Sequence, residues 1–198
     1  MSSSILKESP ERVKRKAQRT LLLIFAICIA PFVAATIVFI FFPPDDRLNY
    51  GDLLEPTPVS TFMLQREGKA FTLAELKGKW VMLHFDSGEC AAVCETKLFN
   101  MRQSRTAQGR EMDRIERVWV RADTKQPDVK LEPLYTGVHR LDNPSPEFVA
   151  AFPATTDVRA HIYLIDPLGN LMLRYPPDAD PKRIIKDLAR LLKVSRVG

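Results

Sequence analysis

The sequence predicts an α/β domain, a central sheet flanked by helices, preceded by one membrane-spanning helix. Three observations carry this expectation. Residues 20–42 read TLLLIFAICIAPFVAATIVFIFF, 23 residues without a charge, and a bilayer core needs only about 20 apolar residues in helical form. Trp80 to Phe85 (WVMLHF) is an unbroken apolar run bounded by KGK and DSGE, the pattern of a strand covered on both faces. Downstream of it, helical and strand-like patterning alternate to the end of the chain.

The anchor comes first. Pro31 falls at mid-span and is expected to kink the helix, which membrane helices tolerate. A cleaved signal peptide would have an apolar region of about 7–15 residues ending at a small-residue site. Here Ala34-Ala35 is followed by TIVFIFF, so the apolar run continues where cleavage should occur. Cys28, inside the run, is read as a small residue facing lipid or helix.

Charge sets the orientation. Residues 1–19 hold six Lys and Arg against Glu8 and Glu11, a net of +4, while PPDDRLNYGDLLEP on the other flank has one Arg and four acids. Because Lys and Arg stay on the cytoplasmic side, 1–19 is expected to be a cytoplasmic basic tail, with the rest outside. In a bacterium that places the domain in the periplasm, anchored in the inner membrane. The whole chain carries +5, so the basic balance belongs to the tail and not to a nucleic-acid surface.

Residues 43–60, rich in Pro and acids, read as a linker, and 61–198 as the domain. Phe71, Leu73 and Leu76 lead through KGK into the WVMLHF strand. A helix is expected from about Ala91 to Gln108, with Cys94, Leu98 and Met101 on one face and Gly109 as its stop. RVWV (Arg117 to Val120) is the next strand, ending at ADTKQPD. A proline-containing stretch follows, with a short helix at PEFVAAF. HIYLIDPLGNLMLRY then reads as two strands around a DPLGN turn. The last element is a helix capped by Asp180 with Pro181 at its first position, burying Ile184, Ile185, Leu188, Leu191 and Leu192. The order of strand, cysteine-bearing helix, strand, helix, hairpin and helix is a thioredoxin-like plan.

Cys90 and Cys94 are the candidate site. Spacing of i and i+4 sets the thiols about one turn apart on one side of a helix start. Unsatisfied amides and the dipole favour a thiolate there. Such thiolates serve disulfide exchange and soft-metal binding alike, and outside the cytoplasm the pair is oxidised unless kept reduced. The inert alternatives are packing as small apolar groups or a structural disulfide, the latter weakened by its minimal loop. Cys90, in a polar turn, is expected to be the more exposed, attacking thiol and Cys94 the resolving one. Asp86, Glu89 and Glu95 stand close enough to raise the thiol pKa values.

Several segments together resemble the Sco/SenC family of membrane-anchored, thioredoxin-fold cytochrome c oxidase assembly proteins. LHFDSGECAAVCETKL resembles its strand, turn and C-x-x-x-C helix. WVRADTKQPD resembles the following strand and acidic turn, with Asp123 in the matching place. GVHRLDNPSPEFVAAF and TDVRAHIYLIDPLGN resemble the next helix and the segment around the third copper ligand. Two departures stand out: Ala91 and Glu95 follow the cysteines where the family has proline, and Val158, after Asp157, occupies the place of the family histidine.

The resemblance implies a copper cofactor, as Cu(I), held by Cys90 and Cys94, with His161 as the substitute third ligand if the register slips. Otherwise His161 is an ordinary strand residue on the face of Tyr163 and Ile165. His84 is read as a core or strand-end histidine, and His139 as an exposed loop residue. The implied function is maturation of a respiratory oxidase copper site by Cu(I) handover or thiol reduction. The implied partner is an oxidase subunit or a copper chaperone. A general thiol-disulfide oxidoreductase and a non-catalytic docking module are the alternatives.

Overall fold

The computed structural model describes residues 10–41 and 49–195, which fall in two compact units, 1–47 and 48–198. The described residues of the first form one continuous helix, α1 (Pro10–Phe41), which runs through Pro31. Over Lys14–Phe41 it is long and apolar enough to cross a membrane. The basic stretch from Lys14 to Arg19 is part of this helix, and Cys28 on it is a free, exposed thiol. The expected tail at 1–9, Phe42 of the expected span and the expected linker at 43–48 lie outside the described residues.

In the second unit β4 (Trp80–Asp86) is a central strand. It is parallel to β5 (Ile115–Arg121), which is parallel to β6 (His139–Leu141). On its other side it is antiparallel to β7 (Ile162–Ile165), which forms the expected hairpin with β8 (Asn170–Arg174). Pairing on both edges explains the apolar run: side chains 80 to 85 are all buried.

Residues 52–58, read from the sequence as linker, are instead β1 (Asp52–Pro58), antiparallel to β8 at the edge of the sheet. Pro56 and Pro58 are tolerated because an edge strand leaves one row of amides free, and the register shifts between Leu53 and Thr57. A second feature not expected is the hairpin of β2 (Met63–Arg66) and β3 (Lys69–Thr72). Its two-residue turn, Glu67-Gly68, has φ of 53° and 78°, matching the twist of the strands it joins. The bridge Gln65–Asp142 ties this hairpin beside β6.

Alternation along β4 divides the core. Val81, Leu83 and Phe85 point to one face, with Val118, Phe148, Phe152 and Tyr163. Phe148 comes from α4 (Pro146–Ala150), the expected short helix. Trp80 and Met82 point to the other, with Met101 of α2 (Ala92–Thr106) and Ile184, Leu188 and Leu192 of α5 (Pro181–Val194). Each such side chain, fully buried, contributes about 1.5–3 kcal/mol. The caps follow the sequence: Asp180 accepts from Lys182 N at 2.9 Å, with Pro181 first in the helix.

The buried face of α5 also carries Asp187, 3 % exposed. Its Oδ2 accepts from the amides of Tyr50 at 2.8 Å and Gly51 at 3.1 Å, fastening the chain ahead of β1 to the helix. A Cβ at Gly51 would run into the Leu173 side chain. Asp187→Ala leaves both amides without this acceptor, at a cost of about 2–3 kcal/mol. Urea unfolding in detergent, followed by Trp80 and Trp119 (the only two tryptophans in the chain), is expected to show that loss as a lower midpoint.

Candidate functional site

The turn that leaves β4 is pinned to the turn that leaves β5. Asp123 accepts from Ser87 Oγ at 2.7 Å, Gly88 N at 2.8 Å and Lys125 N at 3.1 Å. These bonds, the one from Ser87 foremost, hold its carboxyl below the usual carboxylate range. Gly88 is needed here because a Cβ would collide with the Lys125 carbonyl oxygen. The chain then turns through Cys90, whose φ of 55° is left-handed, and enters α2 one residue after Ala91. Ala91 offers no side-chain cap, so the first amides of α2 lack that partner beside the cysteines.

Cys90 and Cys94 form a disulfide with a Cα–Cα distance of 5.0 Å. Cys94, Leu98 and Met101 share the buried face of α2, as the spacing predicted. The expectation of an exposed Cys90 is corrected: it is 2 % exposed, and Cys94 is 1 %. The turn is polar, but the sulfurs point inward against Leu98 and Trp119. Leu131, Leu134, Tyr135 and Val138, around α3 (Glu132–Tyr135), pack over the same cluster.

Beneath the pair lies His84. Ligand atoms of His84, Asp86 and Cys94 all fall within 4.8 Å of one another. His84 is fully buried, and neither ring nitrogen has a hydrogen-bond partner. Its ring stacks on Trp119, its neighbour on β5, with centroids 5.9 Å apart and planes at 20°. Burial first, and then the charge of Lys97, push its pKa well below the ordinary histidine value, so the imidazole is neutral at pH 7.

Asp86 is already engaged. It accepts from Lys97 Nζ at 2.6 Å and from Ser87 N at 2.9 Å. Lys97 is 4 % exposed and also donates to the carbonyls of Phe85 at 3.1 Å and Arg159 at 2.5 Å. Burial lowers the pKa of its ammonium, with the bond to Asp86 opposing. Glu89 pairs with Lys125 at 2.7 Å on the surface. Two of the three acids near the thiols therefore each face a lysine.

The other histidines are held elsewhere. His161 ends the helical turn before β7, at 1 % exposure. Its Nδ1 lies 2.8 Å from the Tyr175 carbonyl and so donates there; Nε2 then accepts from Thr155 Oγ1 at 3.1 Å. Both nitrogens are thus occupied away from the disulfide. His139 is not an exposed loop residue: it opens β6, stacks on Phe71 and lies 3.2 Å from Glu116 Oε2. Asp157 caps its own turn through Arg159 N at 2.9 Å, and Val158 after it packs on the core. His84 could have been singled out from the sequence by alternation, since positions 80, 82 and 84 share the face that α2 covers.

A cysteine pair at the strand–helix junction of a sheet flanked by helices defines a thioredoxin-like dithiol protein. Residues 80–195 match the family described as the transmembrane-like, thioredoxin-like, C-terminal domain, and residues 10–41 match the transmembrane-like, N-terminal domain. The chain belongs to this transmembrane-like, thioredoxin-like family. No curated protein matches it in sequence. Among solved structures it is similar to apo Sco1 from Thermus thermophilus, with 24% identity, 72% of this chain and 96% of that chain covered, and a TM-score of 0.55. Copper-bound yeast Sco1 gives 18% identity, 72% and 96% coverage and a TM-score of 0.57. Arabidopsis thaliana ScoI, also copper-bound, gives 18%, 74% and 99%, and 0.53. At these identities the likeness is one of fold: the second unit is built on the Sco plan.

The neutral, partnerless His84 has a consequence for pH dependence. Below about pH 6.5 the unfolded chain protonates this imidazole while the folded one does not, so stability falls as pH falls. The slope from this residue reaches about 1.4 kcal/mol per pH unit. His84→Leu removes that slope and two unpaired buried atoms, and is expected to match or exceed the native chain in urea resistance at pH 7.5. The margin should widen at pH 5.5, read by tryptophan emission in parallel titrations.

Proposed function

We propose that the protein is a membrane-anchored assembly factor that helps mature the copper site of a respiratory cytochrome c oxidase through the Cys90/Cys94 dithiol. One observation carries the reading: a buried, disulfide-forming cysteine pair at the β4–α2 junction, on a fold shared with copper-bound Sco proteins. The pair can act in two ways. Reduced, it can hold Cu(I) as cargo and hand it to a partner's cysteines. Alternatively, it can give two electrons to a partner disulfide, becoming oxidised as the partner becomes a dithiol.

The donor set suits Cu(I). Two thiolates are soft ligands that accept low coordination numbers, and the imidazole beneath them has no other partner. The partner is an oxidase subunit or a copper chaperone that can dock over the start of α2.

The charge pattern supports an orientation with the N-terminus cytoplasmic and the domain on the periplasmic side of the inner membrane. Fusing a reporter active only in the periplasm after residue 198 is the direct check of that topology.

Detergent-solubilised full-length protein, reduced with a phosphine, is expected to bind about one Cu(I), and Cys90→Ser or Cys94→Ser to lose that binding. In a strain lacking the gene, the double Cys→Ser variant is expected to leave oxidase assembly defective, measured as copper-dependent oxidase activity in membranes. Full restoration by that variant would instead identify a docking module.

A further inference from the structure

We propose that His84 is the nitrogen donor of the Cu(I) site, reaching the dithiol from the strand beneath it instead of from the loop before β7. The inference rests on the copper reading above and adds the residue that completes it. Its ground is geometric. A ligand atom of His84 lies within 4.8 Å of Cys94 Sγ, and both ring nitrogens are buried without a partner. Leaving a buried polar atom unpaired costs about 1–3 kcal/mol, and an ion is one of the partners that can satisfy it. Cys94 Sγ is joined to Cys90 Sγ, so reduction frees a thiol beside this imidazole, with the Cys90 sulfur one S–S bond further on.

The competing donors are spent or unsuited. His161 gives both nitrogens to Tyr175 and Thr155. Asp86 is held by Lys97 and by Ser87 N, and its hard oxygens are poor ligands for Cu(I). Trp119 stacks on the His84 ring and so restrains its plane. With His84 at 0 %, Cys90 at 2 % and Cys94 at 1 % exposure, the site is nearly closed to water, which suits a low-coordinate soft cation.

The chemistry balances in two steps. An external dithiol reduces the Cys90–Cys94 disulfide: two electrons and two protons give two thiols, and the reductant becomes a disulfide. Cu(I) then binds with no change of oxidation state, releasing one proton from each thiol. The neutral imidazole gives up none.

The test is X-ray absorption on full-length protein in detergent, phosphine-reduced and loaded with Cu(I), together with competition against bicinchoninate. Native protein is expected to show two sulfurs and the scattering pattern of one imidazole, and His161→Gln to keep that pattern. His84→Leu should lose the imidazole pattern, retain the sulfurs and bind Cu(I) at least about 10-fold more weakly, since even an outer-shell change costs 10–100-fold. His84→Gln, which keeps a polar side chain of similar length, should behave alike and serves if the leucine variant does not fold. A sulfur-only site in the native protein, or an imidazole pattern that survives in the His84 variants, overturns the proposal while leaving the copper reading intact. Failure of the native protein to bind Cu(I) overturns both.

Discussion

The buried ammonium of Lys97 is the interaction on which the site depends. It sits on α2, yet its three bonds go to Phe85 and Asp86 at the end of β4 and to Arg159 in the turn before β7. One side chain thus joins the strand below the dithiol, the helix that bears it and the loop beside it. Taking an ammonium out of water is costly, and only a full set of acceptors makes it tolerable. Lys97 has that set, and the carboxylate among its acceptors keeps the region close to neutral. The thiols therefore feel the uncapped start of α2 with little net charge from Asp86.

A second constraint acts from the other side. Asp123 gathers the backbone and side chain of the 87–90 turn, and Gly88 allows the two turns to touch. With Lys97 holding one flank and Asp123 the other, the five residues between His84 and Cys90 have little freedom. Fixed anchors on both sides of a reactive group lower the cost of ordering it when it works. The unpaired nitrogens of His84 are the converse, a local loss of stability kept inside a rigid frame.

Much of this was legible in the sequence, where one physical signal dominated. The WVMLHF strand, the cysteine face of α2, the DPLGN hairpin and the Asp180 cap were all read correctly, because period, turn chemistry and capping agreed. β1 was missed because Pro56 and Pro58 argue against a strand unless its edge position is known. The β2–β3 hairpin was missed because four-residue strands carry too little alternation to stand out. The histidines were harder still. His84 lies in an apolar run, where nothing in the sequence shows whether a ring nitrogen has a partner. His161 is tied down by the carbonyl of Tyr175, a contact that only folding creates.

The left-handed backbone at Cys90 gives meaning to the residue that follows it. For a residue other than glycine this conformation costs about 1–2 kcal/mol. A proline at position 91, as in the family this segment resembles, would press its predecessor toward the extended region. Ala91 imposes no such restriction, and Cys90 takes a left-handed bend that turns its sulfur into the interior. A side chain with no ligand atom thereby leaves open the backbone conformation that buries the first sulfur of the pair.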